Sequence, residues 1–389
     1  MPRPTENASA NPLEFTMSKS IPHHITVVVT AILLATSAGL SRRVHAQAPA
    51  DYFPTSNWRT SAPQDQQLNK KILKRLLKRI RRNEISGIDS LLIARNGYLV
   101  TEEYFHGWGP DDLHTLQSDS KSVTSLLLGI ALKQGKVSSI DQPVLGFFPE
   151  YRKIHNVDER KSAMTLRDLL TMRTGLDWSE DPYEGSPLFQ LNNCQCDWLK
   201  LVLDWPMREP PGSRFEYNSG GVILLAGVIR NAAGINTDTF AQRYLFDPLG
   251  ITQARWYYGE PDNLPHTGGG LNLRPRDMAK IGYLMLRDGR WENQQIVSAD
   301  WVRESTSHAV SNPRTFANRP VDYGYLWWLL SLNGTGAGPD AGIYAASGAQ
   351  GQWIFVIPKY DMVVVSTGST PYFDQAVDFL YTDILPAVN

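Results

Sequence analysis

Two pairs of β-branched runs, one toward each end of the chain, constrain the fold more than any other feature. Ile88 to Phe105 contains Ser90-Leu91-Leu92-Ile93-Ala94, an Asn96-Gly97 turn, and Tyr98-Leu99-Val100. An Asn-Gly pair tolerates the positive φ angles of a two-residue turn, so this stretch predicts a β-hairpin. Toward the other end, Trp353 to Pro358 and Met362 to Thr367 flank Lys359-Tyr360-Asp361 and predict a second hairpin, with a helix over Asp374 to Leu385 behind it. The middle, residues 116–290, is helix-rich and punctuated by Gly and Pro. No internal repeat is visible. The layout predicts an α+β fold: an antiparallel sheet built from both chain ends and flanked by helices, with a mostly helical lobe inserted between them.

The N-terminal part reads differently. Ile25 to Leu40 is the only long apolar run, preceded by Lys19, His23 and His24 and followed by Val44-His45-Ala46. A charged start, an apolar stretch and small residues at the cleavage positions predict a secretory signal over 1–46 and a periplasmic or secreted protein. The alternative is an uncleaved inner-membrane anchor, with Arg42 and Arg43 beyond the apolar run. Residues 47–63 read as a polar linker. The domain then spans 64–389, with 64–115 and 265–389 in the sheet lobe and 116–264 in the helical lobe. It opens on an amphipathic helix, Gln64 to Asn83. Leu68, Ile72, Leu73, Leu76, Leu77 and Ile80 lie on one face, and eight Lys and Arg residues crowd the other. The helix is expected to pack its apolar stripe on a sheet; lying on a membrane is the alternative.

Charge narrows the partners. With 38 basic and 39 acidic residues the formal net charge is −1, which gives no reason to expect a nucleic acid or an anionic membrane. A small-molecule substrate is expected instead. The eight His residues form no H-E-x-x-H or Cys/His cluster, so neither a metal nor another cofactor is expected. Cys194 and Cys196 are the only cysteines. A bridge at that spacing is expected to be strained, and the pair reads as a loop feature with no catalytic role.

Three motifs carry chemistry. Ser118-Asp119-Ser120-Lys121 is an S-x-x-K; on a helix, Ser and Lys three apart share a face. Such an amine takes the hydroxyl proton only if burial lowers its pKa, and the apolar Val123 to Leu132 beyond it predicts a buried helix. A helix starting at Ser118 also aims free N–H groups at a developing oxyanion. The alternative is a serine cap beside a solvated lysine. Tyr217, in Phe215-Glu216-Tyr217-Asn218-Ser219-Gly220-Gly221, could relay a proton or be an ordinary core aromatic. Ala346-Ser347-Gly348-Ala349 leads into the Trp353 strand; small residues there allow close approach of a substrate, or mark a plain turn.

In this order the motifs resemble the serine β-lactamase and penicillin-binding-protein superfamily, and most of all its class C-like β-lactamase-related hydrolases, which include esterases and 6-aminohexanoate-dimer hydrolases. Thr165 to Leu176, Glu209-Pro210-Pro211-Gly212, Gly268-Gly269-Gly270-Leu271, Arg276-Asp277-Met278-Ala279 and Tyr323 to Trp328 extend the resemblance from about residue 88 to near the C-terminus. It implies a β-lactamase/transpeptidase-like fold and a serine hydrolase, a carboxylesterase or amidase working through an acyl-enzyme. Ser118 would be nucleophile, Lys121 general base and Tyr217 proton relay. The N–H groups of Ser118 and Ala349 would form the oxyanion hole, and Ser219, Ser347 and Gly348 would bind substrate, Ser219 also holding Lys121. Relatives that act on β-lactams or peptidoglycan begin the third motif with Lys or His, where this chain has Ala346. A substrate carboxylate would lack its charge-assisted partner, so an ester or a linear amide fits better than a lactam. A non-catalytic binding protein on the same fold is the remaining alternative.

Overall fold

The computed structural model describes residues 52–389 except 260–262, 337–341 and 373. The expected signal over 1–46 lies outside the described residues. Eight strands form the main sheet: β1 (Ile88–Arg95), β2 (Tyr98–Tyr104), β3 (Val310–Phe316), β4 (Arg319–Tyr323), β5 (Trp328–Ser331), β6 (Gly342–Gly348), β7 (Gln352–Ile357) and β8 (Met362–Gly368). Their order is β3-β4-β5-β6-β7-β8-β1-β2, antiparallel throughout. Both expected hairpins are present. They meet at the β8–β1 seam, where Leu92 faces Val365 and Ile93 faces Val364, so the sheet closes with strands from both chain ends.

Strands β1, β7 and β8 are buried at every position, as their continuous apolar runs require when helices cover both faces. Five helices shape the site and the surface beside it: α1 (Lys70–Arg81), α2 (Asp119–Lys133), α3 (Pro187–Asn193), α4 (Ser219–Ala233) and α5 (Pro275–Leu286). In α2, every residue from Asp119 to Ala131 is buried. Leu126, Leu127 and Leu128 lose all solvent contact. At roughly 2 kcal/mol each, they offset the several kcal/mol that burying one amine in the same helix costs. Gly129 lets Trp301 lie flush on α2, since a Cβ there would come within 2.3 Å of the indole. Helix α5 backs β7 and β8 in the same way through Gly282, beside Val363 and Ile354.

Three expectations are corrected. The helix expected over Gln64–Asn83 is split: a 3-10 turn over Pro63–Gln66 ends at Gln67, whose φ of 57° is left-handed, and α1 starts only after Asn69 caps Lys71 N and Ile72 N. Periodicity extends across such a break because Leu68 is buried on both counts. Within the expected linker, Tyr52 to Ser61 are docked rather than loose. Ser61 N donates to Leu99 O at 3.3 Å and Leu99 N to Arg59 O at 2.9 Å, Trp58 Nε1 donates to Arg276 O at 3.2 Å, and Phe53 packs on Tyr283 and Trp291. The aromatic residues of that segment outweigh its polar composition. The last helix is α-helical only over Gln375–Phe379, continuing as a wide π turn over Leu380–Ile384. Every strand and core residue named lies within the compact unit Pro49–Asn389.

Candidate active site

A short ribbon positions the S-x-x-K motif. His114–Thr115 pairs with Leu271–Leu273, which pairs in turn with Ala254–Trp256. Leu116 N donates to Leu271 O at 2.8 Å, and the chain then turns through Gln117, at a left-handed φ of 47°. Such a backbone costs about 1–3 kcal/mol in a non-glycine residue and persists only where the surroundings impose it. It delivers Ser118 to the first position before α2, half-buried, with its side chain making no cap bond to the helix. The hydroxyl is therefore not spent on capping.

Lys121 Nζ donates to Ser118 Oγ at 3.0 Å and to Gly268 O at 2.5 Å. The residue is 2% exposed, which removes the alternative of a solvated lysine beside a serine cap. The aromatic ring of Tyr217 lies 4.8 Å from Nζ, ring centroid to nitrogen. Tyr217 is held by what flanks it. Glu216 N donates to Met172 O at 2.8 Å, and Asn218 caps α4 by accepting from Gly221 N at 2.8 Å. The Tyr217 ring stacks on Trp328 of β5, with Arg314 of β3 at 4.8 Å. Ser118, Lys121 and Tyr217, separated by up to 99 positions of sequence, thus share one corner.

Ser347 and Gly348 end β6, and Ala349 follows. A Cβ on Gly348 would stand 2.2 Å from Leu116 O and 3.1 Å from Gln117 Cβ, so only glycine lets the strand end lie against the turn before Ser118. Ala349 then opens the 3-10 turn Ala349–Gly351, and Ser118 stands at the head of α2. Neither N–H donates to a carbonyl among the described residues, leaving both available as donors. Ala346 is fully buried.

Ser219 departs from expectation. Its hydroxyl donates to Glu180 Oε2 at 3.2 Å and its N–H to Glu180 Oε1 at 2.5 Å, while Trp178 Nε1 also donates to Oε1 at 2.9 Å. The structure gives Lys121 the Gly268 carbonyl as its second partner and not Ser219. Gly268 presses on Ser219, so the serine shapes the lysine slot indirectly. The sequence held no local signal for Glu180, because its partner lies 39 positions away.

A cleft of about 350 Å³ opens beside Ser118, walled by Leu188, Asn192, Tyr257, His266 and Asn272. His266 Nε2 is 3.0 Å from Asn192 Oδ1 of α3. Burial, helped by the nearby Lys121, pushes the His266 imidazole down to about 4 from 6.5. Between those values the unfolded chain takes up a proton that the folded one refuses. Stability is therefore full above pH 6.5 and falls as pH drops toward 4, by about 3 kcal/mol. His266→Gln is expected to flatten that part of the urea-midpoint profile; an unchanged slope would contradict the assignment. Asp119, also fully buried, has both carboxylate oxygens without partners among the described residues, and burial holds its carboxyl well above the usual range. Just beyond Asn192, Cys194 and Cys196 are joined in a disulfide. The backbone leaves α3 extended at Cys194 and turns, bringing the two Cα atoms to 5.3 Å, within the normal span of a disulfide. Among the described residues no group of three or more His, Cys, Asp or Glu side chains is arranged to hold a metal.

Known proteins resemble this chain in sequence and in fold. A family described as beta-lactamase matches residues 73–387. The 6-aminohexanoate-dimer hydrolase of Paenarthrobacter ureafaciens is 24% identical over 298 residues, covering 73% of each chain. Among solved structures, EstCE1, a hydrolase with promiscuous acyltransferase activity, superposes with a TM-score of 0.66 at 18% identity, over 80% of this chain and 99% of that one. A D-stereospecific amidohydrolase from Streptomyces sp. gives 0.60 at 16% identity, over 78% and 96%. These structural likenesses are likenesses of fold.

Proposed function

The chain belongs to the beta-lactamase family and is a hydrolase of that family, and from this premise we propose that it cleaves an ester or amide bond through an acyl-enzyme on Ser118. The observation that carries the proposal is the buried Lys121 amine at 3.0 Å from Ser118 Oγ. In its neutral form this amine accepts the hydroxyl proton as Oγ attacks the substrate carbonyl. The negative charge that develops on the carbonyl oxygen is taken by the N–H groups of Ser118 and Ala349. Tyr217, beside the amine, passes a proton to the leaving oxygen or nitrogen, which departs as alcohol or amine. Water then attacks the ester so formed by the reverse proton path, releasing the acid and restoring Ser118.

Ester cleavage is the leading reading. An alkoxide leaves with less protonation than an amine, and fully buried Ala346 offers no cation to the substrate carboxylate of a lactam. A linear amide is the second reading, favoured by the relative named 6-aminohexanoate-dimer hydrolase. The test is turnover of a p-nitrophenyl ester, the 6-aminohexanoate linear dimer and nitrocefin by one preparation. The ester is expected to be fastest and nitrocefin slowest. Nitrocefin turnover above the other two would overturn the assignment, as would no turnover of any of them. We place the protein outside the cytoplasm on the strength of the signal-like residues 1–46.

A further inference from the structure

We propose that α1 is a docking surface for anionic lipid headgroups. Helix α1 and the adjoining Arg82 carry Lys70, Lys71, Lys74, Arg75, Lys78, Arg79, Arg81 and Arg82, with no acidic residue among them. Leu73, Leu76, Leu77 and Ile80 are buried against the domain, so the apolar stripe is already used and the helix cannot insert it into a bilayer. What remains outward is charge alone.

Most of the arginines are neutralised within the protein. Asp383, almost wholly buried, receives Arg79 at 2.9 Å and Arg75 at 3.5 Å, Glu103 takes Arg81 at 2.5 Å, and Glu84 lies 3.9 Å from Arg82. Lys70, Lys71, Lys74 and Lys78 are exposed and have no acidic partner among the described residues. Lys70, Lys74 and Lys78 are spaced by four and so form one row, with Lys71 alongside. Like charges at that spacing repel, and two of these lysines sit in the first turn, where the helix dipole disfavours a cation. The arrangement works against the isolated domain and in favour of an external anion.

The chain itself indicates which anion. Its formal charge is −1, so the patch is a local concentration of charge that the total conceals. Eleven residues separate the apolar run Ile25–Leu40 from Tyr52. These residues reach at most about 40 Å, so whenever that run occupies a bilayer, the domain is tethered within that distance of the headgroups. Lysine without interleaved aromatic side chains also suits headgroup phosphates better than nucleobases, which need stacking surfaces.

The test uses the compact unit 49–389, which lacks the apolar run, so that any binding comes from the domain. Co-sedimentation is measured with vesicles of phosphatidylglycerol and phosphatidylcholine, with phosphatidylcholine alone, and by retention on heparin and duplex DNA. Binding is expected to the anionic vesicles only, weakening as salt rises. Each lysine is expected to contribute about fivefold. Lys70→Gln/Lys71→Gln/Lys74→Gln/Lys78→Gln together should lower partitioning by a few hundredfold, with p-nitrophenyl ester turnover unchanged as the check on folding. Should that variant lose turnover, the single Lys74→Gln and Lys78→Gln variants carry the measurement at about fivefold each. Equal binding to neutral vesicles, undiminished binding by the variants, no vesicle binding at low salt, or binding to heparin or DNA alone would overturn the proposal.

Discussion

Ser118→Ala is expected to lower p-nitrophenyl ester turnover by on the order of 10⁴-fold or more, with little change in stability. The hydroxyl makes no cap bond to α2, and its one hydrogen-bond partner among the described residues is the Lys121 amine, so the variant removes the nucleophile and spares the packing. Lys121 keeps Gly268 O, and the N–H groups of Ser118 and Ala349 are backbone atoms that the substitution leaves in place. Substrate binding should persist, so the loss should fall on kcat with KM nearly unchanged. A rise in KM together with the fall in kcat, or a thermal midpoint displaced by several degrees, would point to a structural role for the serine.

Lys121→Met is the second large effect. Methionine has nearly the same length and no charge, and the slot it enters is closed, since Lys121 is 2% exposed. The fold should hold, because removing a buried amine removes a desolvation cost along with its hydrogen bonds. Gly268 O loses a donor, a penalty of about 1–3 kcal/mol. Catalysis loses its base, and kcat should fall about a thousandfold, equivalent to roughly 4 kcal/mol in the barrier. Residual activity should rise with hydroxide concentration, as solvent takes over the proton that the amine no longer accepts. Turnover within a few fold of the native protein would remove Lys121 from the mechanism.

How much of the fold is legible in the sequence depends on range. The two hairpins could be read because each is a local object: β-branched runs closed by a short turn. Their meeting at the β8–β1 seam was inferred from the positions of the runs, and it appears with Leu92 facing Val365. The spacing of Ser118 and Lys121 is also local, three residues on one helix, which is why the pair could be found. Tyr217 could be nominated but not positioned, since its place depends on Met172 O and the Trp328 ring. Glu180 under Ser219 and the Gly268 carbonyl on Lys121 come from loops without periodicity, Asn192 against His266 comes from the end of a short helix, and each is a contact across tens to hundreds of residues. No pattern rule reaches them. Misreadings had the same origin at smaller scale: one left-handed residue, Gln67, ended a helix that periodicity carried on. Tyr52, Phe53 and Trp58 anchored a segment that its polar residues marked as a linker.

The covalent intermediate on Ser118 is the step on which the chemistry depends. The direct measurement is peptide mass spectrometry after rapid acid quench of the protein mixed with excess p-nitrophenyl acetate. An acetyl group on the peptide that contains Ser118, formed within the burst and absent from Ser118→Ala, is the predicted result. An acetyl group on another residue, or steady ester turnover with Ser118 unmodified at every quench time, would contradict it.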